Sequence, residues 1–65
     1  MSKFIEVKAA STGKDCLINV ERINYIYPAL HNGRAYCMIS LVNGPDVLVD
    51  ETYEELRDDI YEATK

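Results

Sequence analysis

Residues 22–42 read RINYIYPALHNGRAYCMISLV, and the way their alternation resolves decides the fold. Asn32-Gly33 lies near the centre of this stretch. Both residues tolerate positive φ, so this dipeptide between two apolar runs is the strongest short signal for a β-hairpin. A two-residue turn there sets the cross-strand pairs Ala29 with Tyr36, Tyr27 with Met38, Ile26 with Ile39, and Tyr25 with Ser40. Side chains alternate between faces along a strand, and the two faces then differ in chemistry. One carries Ile26, Leu30, Cys37, Ile39 and Leu41, an aliphatic set suited to a core. The other carries Tyr25, Tyr27, Tyr36 and Met38, residue types enriched at protein interfaces. Pro28 donates no ladder hydrogen bond, which predicts an edge strand or a bulge at that point. A bulge would exchange the faces beyond it.

Upstream, FIEVKAA alternates with Ile5 and Val7 on one side, and predicts a first strand over Lys3 to Ala9. STGKD supplies turn residues, with Gly13 free to take positive φ, and CLINV resumes as a second strand. The pattern breaks after Asn19, whose side chain can cap one helical turn that keeps Val20 and Ile23 inward. Downstream, NGPD predicts a second turn leading to a fifth strand, VLV. An odd-length loop there places Val47 and Val49 beside Ile39 and Leu41, an even one places Leu48 there, and the first is the preferred reading because it merges the aliphatic residues.

DETYEELRDDIYEATK predicts a helix over Tyr53 to Ala63. Thr52 and Glu55 form a capping box, and Tyr53, Leu56, Ile60 and Ala63 fall on one stripe. The fold class is therefore α+β: a five-stranded antiparallel β-meander, or a small partly open barrel, followed by one C-terminal amphipathic helix. Residues 1–65 form a single domain. One short helix covers only one sheet face, so the tyrosine face must be wet, curled into a barrel or met by another chain.

Composition narrows the function. Eleven acids against seven bases give a net charge of −4, which opposes binding to nucleic-acid phosphates, since such contacts need clustered Lys and Arg. Five bases (Lys3, Lys8, Lys14, Arg22, Arg34) do share the first 34 residues with only three acids, a weak polarity toward the N-terminal side. Cys16 and Cys37 stand apart inside apolar runs and read as reduced core thiols. The N-terminal segment lacks the pattern of a secretory signal and no apolar run could span a bilayer, so the expected location is cytoplasmic. No nucleophile, phosphate-loop or metal-ligand motif occurs, and His31, the sole histidine, falls at a turn. Neither an enzyme, a cofactor, a metal nor a small-molecule substrate is expected.

Two surfaces remain as candidates. Tyr25, Tyr27, Tyr36 and Met38 form the first, a self-association or partner interface. The second is the acidic side of the helix, Glu55, Asp58, Asp59 and Glu62, which reads as a solvated face or as a surface for a basic partner. The leading expectation is a non-catalytic interaction or regulatory module, homodimeric, of bacterial or phage origin. The alternatives are a nucleic-acid-binding regulator using the N-terminal bases and an acidic mimic of nucleic acid that binds a basic protein.

The segments INVERINYIYPA and ISLVNGPDVLVDETYEEL together resemble the FlbD/SwrD family of small bacterial motility-associated proteins. The matching positions are Gly13, Ile18, Asn19, Ile23, Ile26, Asn43, Gly44, Val49, Glu51, Thr52, Glu54, Glu55 and Leu56. PALHNGRAYCM makes a longer and more aromatic third hairpin than that family has. The resemblance implies an accessory or regulatory role with flagella, exerted by protein contact and without catalysis. The strand-and-helix layout also resembles CsrA-type RNA-binding regulators, whose basic residues are not matched here.

Overall fold

A computed structural model describes residues 3–65. The central hairpin forms from β3 (Ile23–His31) and β4 (Arg34–Leu41) around Asn32 and Gly33, whose φ values of 51° and 78° are those of a tight two-residue turn. All four pairs expected from the Asn-Gly signal are present: Ala29–Tyr36, Tyr27–Met38, Ile26–Ile39 and Tyr25–Ser40.

Pro28 causes no bulge. It pairs with Cys37 in an unbroken register, and β3 is the outer strand of the sheet β3-β4-β5. Hydrogen-bonded and non-hydrogen-bonded pairs alternate along an antiparallel ladder. Counting from the His31–Arg34 pair that closes the turn, Pro28 falls at a non-hydrogen-bonded position, so its nitrogen faces the free edge where no partner needs a donor. The register shift lies instead at Asn24, since Ile23 pairs with Leu41 and Tyr25 with Ser40.

The remaining elements are β1 (Phe4–Lys8), β2 (Asp15–Asn19), a 3₁₀ turn over Val20–Arg22, β5 (Val47–Val49) and α1 (Tyr53–Ala63). Asn19 caps the 3₁₀ turn by accepting from the Glu21 N–H at 3.0 Å, and Val20 and Ile23 both pack against the core as expected. The loop between β4 and β5 holds residues 42–46, an odd length, and Val47 lies opposite Ile39. Val49 lies opposite Cys37 rather than Leu41. Within that loop Asn43 takes the positive φ, at 58°, whereas Gly44 does not.

The strands do not form one continuous meander. β1 and β2 make a two-stranded sheet and β3-β4-β5 a three-stranded one. Consecutive strands β2 and β3 belong to different sheets because the capped 3₁₀ turn redirects the chain between them. Its ends are tied elsewhere: the Val20 N–H donates to the Lys3 carbonyl and the Val42 N–H to the Arg22 carbonyl, both at 2.8 Å. The two sheets meet at an Ala9–Val49 bridge, flanked by Ala10 N–H to Leu48 O at 2.8 Å and Asp50 N–H to Lys8 O at 2.9 Å. They do not close into a barrel.

The core lies between the inner faces of the sheets and α1. Ile5, Val7 and Ile18 come from the first sheet, Cys37, Ile39 and Val49 from the second, and Leu56 from the helix. Tyr53, Ile60 and Ala63 pack beside Leu56, so the expected stripe is the docked face. Thr52 caps the helix as anticipated: its hydroxyl oxygen accepts from the Glu55 N–H, while the Glu55 carboxylate accepts from the Thr52 N–H. The thiols are free, Cys37 buried and Cys16 half-buried, and burial pushes the Cys37 thiol pKa up.

Leu30 departs from the expected core, being 78% exposed. The β5 ladder reaches only from Ile39 to Cys37, so the hairpin beyond that pair projects past the strand that would have flanked it.

Candidate interaction surface

With α1 docked on the inner face, the outer face of β3-β4-β5 has no covering element among the described residues. Tyr25 and Tyr27 are 55% and 40% exposed, on the same side of β3, and their rings lie 6.0 Å apart with planes inclined at 35°. Tyr27 is opposite Met38, and Met38 is opposite Leu48. An aromatic–methionine–leucine row thus crosses all three strands. The odd-length loop that turns Val47 and Val49 inward turns Leu48 outward onto this face.

Tyr36 sits at one end of this surface, half-buried. The Arg34 guanidinium lies 5.4 Å from its ring centroid, and Arg34 Nη2 donates to both Asp50 oxygens at 2.8 and 3.1 Å. The His31 ring stands 6.3 Å from the Tyr36 ring, edge-on to it. Arg34 and Asp50 neutralise each other at the rim, an ion pair no local spacing could announce, since sixteen residues separate them. The four residues expected on this face are therefore together, in an uncharged patch with a balanced edge. Its exposed apolar area is on the order of 300 Å², from what partly exposed aromatic side chains carry. That is comparable with the largest patch on a typical monomer, often a functional one.

The acidic side of α1 is less uniform than the sequence suggests. Glu55 is engaged in the capping box, where hydrogen bonds from the Thr52 backbone and hydroxyl hold its carboxyl below the usual range. Asp58 lies 3.6 Å from Arg57 Nε, and Glu62 lies 3.2 Å from Lys65 Nζ. Asp59 faces Glu51 instead. Desolvation, followed by the hydrogen bond with Asp59 and nearby negative charge, pushes Glu51 up to about 7. Among the described residues no group of three or more His, Cys, Asp or Glu is placed to hold a metal ion, and no helix is long and apolar enough to cross a membrane.

A further exposed pair was not weighed from the sequence. Phe4 and Leu17, 52% and 65% exposed, lie on the outer side of β1-β2.

No family model, curated protein or solved structure matches the chain. Several positions that carry the FlbD/SwrD resemblance have structural roles: Asn19 and Thr52 cap, Gly13 and Asn43 take positive φ, and Ile18, Val49 and Leu56 are buried. Those residues report on fold rather than on activity.

Proposed function

We propose that the chain is a non-catalytic interaction module that self-associates through the outer face of β3-β4-β5. The carrying observation is the Tyr27–Met38–Leu48 row, with Tyr25 and Tyr27 substantially exposed opposite the helix-covered side. Two copies each carrying −4 repel one another, so association favours a face without uncompensated charge. The tyrosine face meets that condition, whereas the acidic side of α1 does not.

Geometry also favours face-to-face contact over joining of β3 edges. A two-fold related β3 would need donors along its free edge, and Pro28 removes one near the middle of the strand. The patch is smaller than the roughly 800 Å² per partner of a standard interface, so the dimer is weak and concentration-dependent. The FlbD/SwrD resemblance fits this reading, because it too implies action by contact rather than by catalysis. Sedimentation velocity across a dilution series tests the proposal, with a Tyr27→Ser, Met38→Ser variant as the comparison.

A further inference from the structure

A groove of about 530 Å³ opens between the projecting end of the β3–β4 hairpin and the start of α1. Pro28, Ala29, Leu30, Ala35 and Tyr36 line it from the hairpin, and Thr52, Tyr53 and Glu54 from the helix. Its volume is in the range of roughly 300–1,000 Å³ typical of ligand pockets. Its walls are not those of an enclosed site, however, because Pro28, Leu30 and Ala35 all stand exposed and Leu30 is 78% so. Small molecules bind where most of their surface can be buried. An open apolar trough suits an extended chain that lays side chains into it.

Charge selects the kind of chain. Glu54 is the one charged side chain lining the groove, with Glu55 next to it at the helix start, against a helix dipole equivalent to only about half a positive charge. The two nearby cations have acidic partners of their own: Arg34 pairs with Asp50, and Arg57, 5.9 Å over the Tyr53 ring, lies 3.6 Å from Asp58. The local excess is negative, so an anionic occupant is repelled and a cationic one attracted. The missing donor of Pro28 on the free edge of β3 argues against an added strand, leaving side-chain contacts to hold the occupant.

We propose that this groove receives a short extended segment of another protein, with a leucine-type side chain against Pro28, Leu30 and Tyr53 and an adjacent Lys or Arg at Glu54. The groove excludes the Tyr27–Met38–Leu48 row but meets the tyrosine face at Tyr36, and its occupant is proposed independently of self-association.

The test is an amide-resonance titration of the full chain with three acetylated peptides: Lys-Leu-Leu-Lys, Glu-Leu-Leu-Glu and Lys-Ser-Ser-Lys. The Lys-Leu-Leu-Lys peptide should shift Leu30, Ala35, Tyr53 and Glu54 saturably, with each of the other two about tenfold weaker or worse. Leu30→Ser and Glu54→Gln, both at exposed positions, should each weaken it severalfold while leaving the remaining spectrum unchanged. Absence of saturable shifts, equal binding of the glutamate peptide, or shifts confined to Tyr25, Tyr27 and Met38 would overturn the proposal. Shifts at Leu30 and Tyr53 that follow protein concentration without peptide and persist in the Tyr27→Ser, Met38→Ser variant would assign the groove to a second copy and also overturn it.

Discussion

Ile23 and Ile26 stand three residues apart on β3 yet both pack against the core. Three residues should place them on opposite faces. The bulge at Asn24 absorbs the odd residue and restores both to the same side.

Deleting Asn24 should therefore be tolerated. Without it Ile23 still falls opposite Leu41 in a regular ladder, and the expected loss of stability is about 1 kcal/mol or less. Deleting Ala29, inside the regular part of the hairpin, turns Ile26 toward solvent. Ile26 is half-buried, so its exposure alone costs about 1–2 kcal/mol, and the misplaced pairs along the rest of the strand add to that. Urea melts of the two deletions decide it: equal destabilisation would mean that Asn24 does not set the register.

Leu56 is fully buried and is the only core residue contributed by α1 that is completely enclosed. Leu56→Ala should cost about 2–5 kcal/mol, most of the stability of a chain this short. Thr52→Ala should cost about 0.5–2 kcal/mol through loss of the cap. Helical circular dichroism followed against urea gives both values, and a larger loss at Thr52 than at Leu56 would contradict the packing described.

Two carboxyls oppose each other in the pH dependence. Glu51 binds its proton more tightly in the folded chain, up to about 7, so the folded state holds the extra proton between the ordinary glutamate range and pH 7. Its contribution to stability is favourable on the acid side of that window and is lost as pH rises through about 7. Glu55 is lowered, and its contribution is present above the ordinary range and lost as pH falls through its depressed pKa. Stability should thus rise on acidification from pH 8 toward pH 5 and fall again in stronger acid. Thermal melts of Glu51→Gln should lose the first slope and keep the second, whereas an unchanged slope from pH 8 to 5 would remove Glu51 as its source.

How much could be read from the residues alone depended on whether a feature is local. The hairpin, its four pairs and the helix boundaries are encoded by neighbours in the chain: Asn32-Gly33, the loop parity before Val47, and the Thr52–Glu55 box. The bulge at Asn24 carries no glycine or proline to mark it, and Pro28 offered a more visible but incorrect location. Leu30 was on the predicted face, but parity specifies a side and not whether anything lies across from it. The division into two sheets likewise escapes alternation, which gives each strand an inner face without naming its neighbour. The tyrosine face was legible as a group. Its Leu48 extension and its Arg34–Asp50 rim required the fold.

The most direct test of the interaction surface is sedimentation velocity from millimolar to micromolar protein, on the wild-type chain and on Tyr27→Ser, Met38→Ser. The wild type should pass reversibly from dimer to monomer on dilution. The variant, substituted only on the outer face, should stay monomeric throughout while melting close to the wild type. A wild-type chain that is monomeric at every concentration, or a variant that dimerises equally well, would contradict self-association through this face.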